Sequence, residues 1–232
     1  MRLNKYLARS GCASRRACDK LIEEGRVKVN GAIMLDFSCQ VDNDDVIMCD
    51  GKIINQIADS EVFLAHKLKG YISTSQDPYG RKKVIDMIKT KNRLFTIGRL
   101  DRDTTGAILL TNDGELANKL MHPKYNIERI YLVATKVDIL KSEYSKLETG
   151  ISIDKNFKVK GKIIRLGKKG GLVHWRMILH EGKNHEVKRI FKYFGSTVIH
   201  LHRESFAGFS VENILPGKYR KVTKKELNKI LS

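Results

Sequence analysis

Ala107-Ile108-Leu109-Leu110 is a short apolar run closed by Asn112-Asp113-Gly114 and preceded by a loop dense in charge. A run this short, ended by Asn-Asp-Gly turn chemistry, reads as a buried strand. The loop in front of it, from Ile97, holds Arg99, Asp101, Arg102 and Asp103. A polar loop anchored to a rigid buried strand is a common seat for catalytic groups. An acid among several cations stays ionised at pH 7, because the cations favour its charged form. Such a carboxylate is a poor proton donor but a competent nucleophile or base. On residue types alone the opposite reading stands beside it: a structural loop whose acids satisfy backbone N–H groups, since ion-pair networks also gather charge.

The chain has 232 residues, room for one large or two small domains. No apolar run approaches the ~20 residues a membrane helix needs. Met1-Arg2-Leu3-Asn4-Lys5 leads into polar sequence, so no signal peptide is expected and the reading is a cytoplasmic protein without a membrane partner. The net charge is +18, and it is unevenly placed. Residues 1–60 carry 9 basic and 9 acidic side chains, so the excess belongs to residues 61–232. A charge this large suits a polyanion, nucleic acid above all. The bland alternative is a solvated lysine-rich surface. Cys12, Cys18, Cys39 and Cys49 form no Cys-x-x-Cys pair and have no His at ligand spacing, so they read as small apolar fillers, with no metal expected.

Residues 1–55 form a compact pattern. Leu3, Tyr6 and Leu7 fall at helical spacing, and Ser14 is a good N-cap for a helix lined by Cys18, Leu21 and Ile22 and stopped by Gly25. Val27 and Val29 alternate with Arg26 and Lys28, and Asn30-Gly31 signals a hairpin; Asp50-Gly51 marks a second tight turn. Arg2, Lys5, Arg9, Arg15, Arg16, Lys20, Arg26 and Lys28 are expected to gather on one side as phosphate contacts, with the acids after residue 31 facing elsewhere. Asn55–Ser60 is the expected linker.

Beyond Glu61 short strands and helices alternate. Val62–Ala65, Ile130–Val133 and Thr197–Leu201 read as strands, Thr74–Gly80 as a turn-rich loop, Val84–Ile88 as a short helix, and Glu115–Leu120 as another. The expected class is α+β with a mixed, mainly antiparallel sheet.

Several of these segments resemble one family. The run Gly98-Arg99-Leu100-Asp101, continued through Thr105-Gly106 to Thr111-Asn112-Asp113-Gly114, resembles the signature of pseudouridine synthases of the RsuA/RluB branch. Arg2–Ala8, Ala13–Arg16 and Gly25–Gly31 resemble the RNA-binding domain of ribosomal protein S-four. The resemblance implies a small RNA-binding α/β domain over 1–58 and a catalytic domain over 61–232, built as two subdomains around the sheet. It makes Asp101 the catalytic aspartate. Glu128–Val133 resembles the family's Lys-x-Tyr strand, so Tyr131 maps onto the active-site tyrosine and Arg129 onto the lysine, with Tyr131 placed on the opposite face of the strand from Arg129. Glu181–Ile190 resembles a further family segment, on which Lys188 maps onto the basic residue that pairs with the aspartate, with Arg189 as fallback, and Ile190 onto the apolar packing residue beside the target base. Arg99, by analogy, fills the place of a flipped base. His185, His200 and His202 are left to structural or RNA-facing roles.

The reaction so implied turns uridine into pseudouridine without a cofactor. The implied partner is rRNA or a ribosomal assembly intermediate, met by a monomer. Pro78-x-Gly80-Arg81, Glu181–Asn184 and Leu215-Pro216-Gly217 lean towards large-subunit (23S) rRNA; His185 and Val187-Lys188-Arg189 leave small-subunit (16S) rRNA open. The rival from another class is a non-catalytic RNA-binding assembly factor.

Overall fold

The computed structural model describes residues 1–42, 44–55 and 59–231. They divide into two compact units, one of Met1–Glu61 with Thr90–Arg93 and Asn112–Gly114, the other the rest of the chain. Three residues of the expected linker, Gln56 to Ala58, lie outside the described residues.

The first unit holds α1 (Leu3–Arg9), α2 (Arg15–Glu23), β1 (Val27–Val29), β2 (Ala32–Ile33), β3 (Ile47–Cys49) and β4 (Lys52–Ile53). Ser14 starts α2 by accepting a hydrogen bond from the Ala17 N–H at 3.2 Å. Asn30 (φ 51°) and Gly31 (φ 86°) take paired left-handed conformations, as do Asp50 (φ 49°) and Gly51 (φ 75°). Two successive positive φ angles make the hairpin turn that matches the right-handed twist of strands. The strands run in the order β2-β1-β3-β4. Leu3, Leu7, Cys18, Ile22, Val27 and Ile47 close a small core beneath them. All four cysteines are free; Cys18 and Cys49 are buried in that core, and Cys12 and Cys39 pack partly buried against it.

The second unit is built on β5 (Val62–Lys67), β6 (Phe95–Ile97), β7 (Thr105–Thr111), β8 (Arg129–Thr135), β9 (Ile151–Asp154), β10 (Phe157–Val159), β11 (Gly161–Lys169), β12 (Leu172–Leu179), β13 (Val198–Phe206), β14 (Phe209–Ser210) and β15 (Tyr219–Lys221). Its helices are α3 (Gly114–Met121), α4 (Lys141–Tyr144), α5 (Lys146–Thr149), α6 (Glu186–Tyr193) and α7 (Lys224–Leu231). Nine strands share one sheet with the main order β11-β12-β8-β13-β7-β5-β15. Its neighbours are antiparallel except for the parallel pair β13 and β7. The mixed, mainly antiparallel α+β sheet expected from the sequence is present. The expected helix at Val84–Ile88 is a 3-10 turn over Val84–Met87.

Both faces of the central strands are buried, so β5 and β7 read as continuous apolar runs. Phe63, Ala65, Ile108 and Leu110 face one core with Trp175, Ile190 and Phe191. Val62, Leu64, Ala107 and Leu109 face the other, with Leu116, Leu120 and Phe209. Trp175 stacks edge-on against Phe191 and donates its ring N–H to the Thr135 hydroxyl at 2.9 Å. Where β7 meets β13, Gly106 (φ 108°) lies so near the opposing chain that a Cβ would sit 2.1 Å from the Arg203 carbonyl oxygen. Glycine is required there by sterics as well as by φ.

Candidate active site

The charged loop of residues 98–104 joins β6 to β7 and is fastened at several points. The Gly98 N–H donates to the Met121 sulfur at 3.0 Å. Ser73 binds Leu100 twice, its hydroxyl donating to the carbonyl at 3.0 Å and accepting from the N–H at 3.1 Å. Lys67, with no exposed surface, points its ammonium at three carbonyls: Thr104 at 2.6 Å, Leu68 at 3.1 Å and Arg102 at 3.3 Å. Burial pulls the Lys67 pKa down from 10.5 to about 8, against the pull of Asp101 and Asp103.

This loop presents Asp101 to a cleft of about 1040 Å³. Lys188, from the first turns of α6, donates to Asp101 Oδ2 at 2.8 Å. His185 Nδ1 lies 3.0 Å from the same oxygen. Among the described residues nothing donates to Oδ1. Partial burial raises the Asp101 pKa, but the Lys188 hydrogen bond and charge, then His185, outweigh it and hold the carboxyl below its usual value. An ionised carboxylate with one oxygen tied and the other open to a cavity is set up to react through the open one.

Part of the lining comes from β8 and β13. Tyr131 is buried, pairs in register with Arg203 across the strands, and lines the cleft. Arg129 lines it too, donating to the carbonyls of Ile127 at 2.6 Å and His180 at 2.8 Å. Arg203 donates through Nε to the Ala107 carbonyl at 2.7 Å, while its buried Nη2 has no hydrogen-bond partner among the described residues. Both guanidinium groups lie over the Phe206 ring, at 5.2 and 4.8 Å. A register shift between Arg203 and Ser205 brings Phe206 there, which strict alternation along β13 would not. Glu186, also buried in the cleft wall, accepts from the Lys183 N–H at 3.2 Å, and burial pushes its carboxyl up.

Asp101, Tyr131, Lys188, Arg99 and Arg129 therefore meet at one cavity. Four expectations need correction. Arg129 and Tyr131 are two positions apart in a strand and so share a face, not opposite faces. Ile190 is fully buried in the core and does not line the cleft; Val187 and Leu201 do. Arg189 pairs with Asp154 and covers the Phe157 ring at 3.5 Å, so it does not serve Asp101. The side chains that hold Asp101 come from α6 and its approach, Lys188 first, and not from Arg99 and Arg102 in its own loop. Sequence reading missed Lys67, Glu186 and Arg203, and set His185 aside. A lysine two residues beyond the apolar run Val62–Ala65, in step with its buried alternation, was the one available signal for the first.

In the first unit, Arg2, Arg15, Arg16 and Lys28 are exposed and Lys5 is half-buried. Arg26 departs from the expected phosphate face: it forms a two-point ion pair with Asp50, at 2.8 and 2.7 Å, and reaches Glu24 at 3.1 Å. Asp50, an acid beyond residue 31, thus faces a basic residue instead of turning away.

A sequence profile described as RNA pseudouridylate synthase matches residues 61–193, more than half of the chain, and includes Asp101, Tyr131 and Lys188. The chain belongs to that family. The synthase is an isomerase that acts on RNA, and its front segment, residues 1–47, matches the S4 domain. It is 40% identical to the ribosomal large subunit pseudouridine synthase B of Bacillus subtilis, over 99% of this chain and 95% of that protein. It is 39% identical to an uncharacterized RNA pseudouridine synthase of Rickettsia felis, over 98% and 99% of the two chains. A crystal structure of a pseudouridylate synthase superposes with a TM-score of 0.71 at 27% identity, covering 99% of each chain. The fold is thus the pseudouridine synthase fold with an S4 domain in front. Among the described residues no helix is long and apolar enough to cross a membrane.

Proposed function

We propose that the synthase converts a uridine of large-subunit rRNA to pseudouridine, with Asp101 as the reacting carboxylate. The observation that carries the chemistry is the Asp101 carboxylate, which lines the cleft, is tied through Oδ2 to Lys188, and has no donor on Oδ1 among the described residues. Full-length similarity to the Bacillus large-subunit enzyme supports the target.

The isomerisation breaks N1–C1′, turns the uracil over, and joins C5 to C1′. The C5 proton leaves and N1 gains one, so no electrons are exchanged with an outside carrier. The target base must first leave its stack, at a cost of a few kcal/mol. Exposed Arg99, at the cleft edge, stands where it can occupy the vacated place. Tyr131 offers an aromatic face for the flipped uracil, as stacking platforms do. Lys188 keeps Asp101 ionised and oriented. Arg2, Lys5, Arg15, Arg16 and Lys28 supply phosphate contacts that position the RNA without reading its sequence. The synthase acts in this reading as a cytoplasmic monomer on rRNA or an assembly intermediate.

Pseudouridine mapping of both rRNAs from a deletion strain and its parent tests the proposal. The expected result is loss of pseudouridine at one large-subunit position, restored by the wild-type gene but not by its Asp101→Asn form. Loss from small-subunit rRNA would move the target; unchanged maps would remove it.

A further inference from the structure

His185 stands out because its backbone and its side chain point to the same place. It occupies the position just before α6 with φ 51°, the left-handed region, although it is neither glycine nor asparagine. A side chain held there is strained, and such strain persists at sites where geometry is needed for function. The strained residue aims Nδ1 at Asp101 Oδ2, 3.0 Å away. Lys188 reaches the same oxygen from the next turn of the chain, at 2.8 Å.

A lysine ammonium is a point charge on a flexible stem, able to keep a carboxylate ionised but poor at fixing its plane. Rotation about the terminal torsion of aspartate is soft and roughly two-fold, so with one donor the two oxygens can trade places. A planar ring on a fixed backbone supplies the second direction. With Lys188 donating to Oδ2 and His185 Nδ1 lying 3.0 Å from the same oxygen, Oδ1 is the oxygen left without a donor among the described residues of a side chain that lines the cavity.

We infer that His185 is a positioning residue for Asp101, which locks one carboxylate oxygen so that the other is presented to the nucleoside. This rests on Asp101 as the reacting group. In the neutral ring the contact is a donated hydrogen bond when Nδ1 carries the proton.

The test uses the full-length protein, His185→Gly and His185→Asn, with unmodified rRNA transcript as substrate. Glycine frees the backbone of strain and removes the ring; asparagine tolerates a positive φ and keeps a donor on a shorter side chain. The expected result for His185→Gly is single-turnover pseudouridine formation slowed at least tenfold, RNA affinity within about threefold of wild type, and a melting temperature equal or higher. His185→Asn recovers part of the rate. A variant that gains or keeps stability while losing rate cannot owe the loss to misfolding.

Turnover of His185→Gly within threefold of wild type overturns the inference. So does a loss confined to RNA affinity, which makes His185 an RNA contact, or a fall in melting temperature for both variants that tracks the loss of rate, which makes it a helix-start residue. If wild-type protein forms no pseudouridine, or Asp101→Asn forms as much, the assignment of Asp101 fails instead, and the two failures are distinguished in one experiment.

Discussion

Lys188 reaches Asp101 Oδ2 at 2.8 Å with both side chains only partly exposed, so the pair is tuned by water as well as by contact. Removing the cation in Lys188→Met lets burial dominate, and the Asp101 pKa rises. Rate constants measured from pH 4 to pH 8 should fall about 100-fold at neutral pH, with the acid limb moved to higher pH; Lys188→Arg should keep the limb in place, since it keeps the charge. An unmoved acid limb in Lys188→Met would separate Lys188 from Asp101. Lys67 carries a second pH signature. The unfolded chain holds its proton to about pH 10.5, the folded protein only to about 8. Between these values the unfolded state binds more protons, so stability rises with pH there. Urea unfolding of wild type and Lys67→Met, compared at pH 7.5, 9 and 10.5, should show wild type gaining up to about 3 kcal/mol on the variant; a flat difference would contradict the buried ammonium. The acid of the site was readable from Gly98–Gly114 because its residues are contiguous. Its partners were not fully readable, because Lys188 against Arg189 is decided by which side of α6 faces the loop, and His185 by a backbone angle no residue pattern encodes.

At the scale of elements, the buried strands announced themselves. Val62–Ala65 and Ala107–Leu110 are apolar throughout because each buries both faces, and the hairpin dipeptides Asn30-Gly31 and Asp50-Gly51 take the positive φ pairs their chemistry favours. β11 was hidden, since it is mostly exposed and polar, and β13 runs to Phe206, past the apolar stretch that marked it. The bulge after Arg203 is hidden for the same reason: it follows from pairing, not from pattern. The tightest joint in the sheet is Gly106 against Arg203. Gly106→Ala should cost at least 3 kcal/mol, by positive φ and by overlap with backbone that cannot step aside. Thermal melts read this directly, and a loss below 1 kcal/mol would mean that β7 and β13 part more easily than their register implies.

At the scale of the molecule, the chain forms two compact units, and the proposed reading has the first hold RNA and the second change it. The excess charge of residues 61–232 lies in the second unit's share of the chain, so the first is not the sole source of RNA affinity. A chain starting at Asp59 keeps the Asp59 carbonyl and the Glu61 carboxylate, which hold Asn112, Thr90 and Asn92. It should fold, bind rRNA more weakly, and show a salt slope shallower by about 3, as several phosphate contacts disappear together. Titrations at three salt concentrations check this; unchanged affinity and slope would deny the front unit a role in RNA binding. The central claim is that Asp101 performs the isomerisation, and the most direct measurement is pseudouridine formed in unmodified large-subunit rRNA by purified wild type and Asp101→Asn, with RNA affinity and melting temperature recorded on the same samples. The account predicts conversion of a single uridine by wild type and a rate below 1% for the variant, a barrier higher by about 3 kcal/mol or more, with affinity and melting temperature nearly unchanged. A variant within tenfold of wild type, a difference of only about 1.4 kcal/mol, would contradict it.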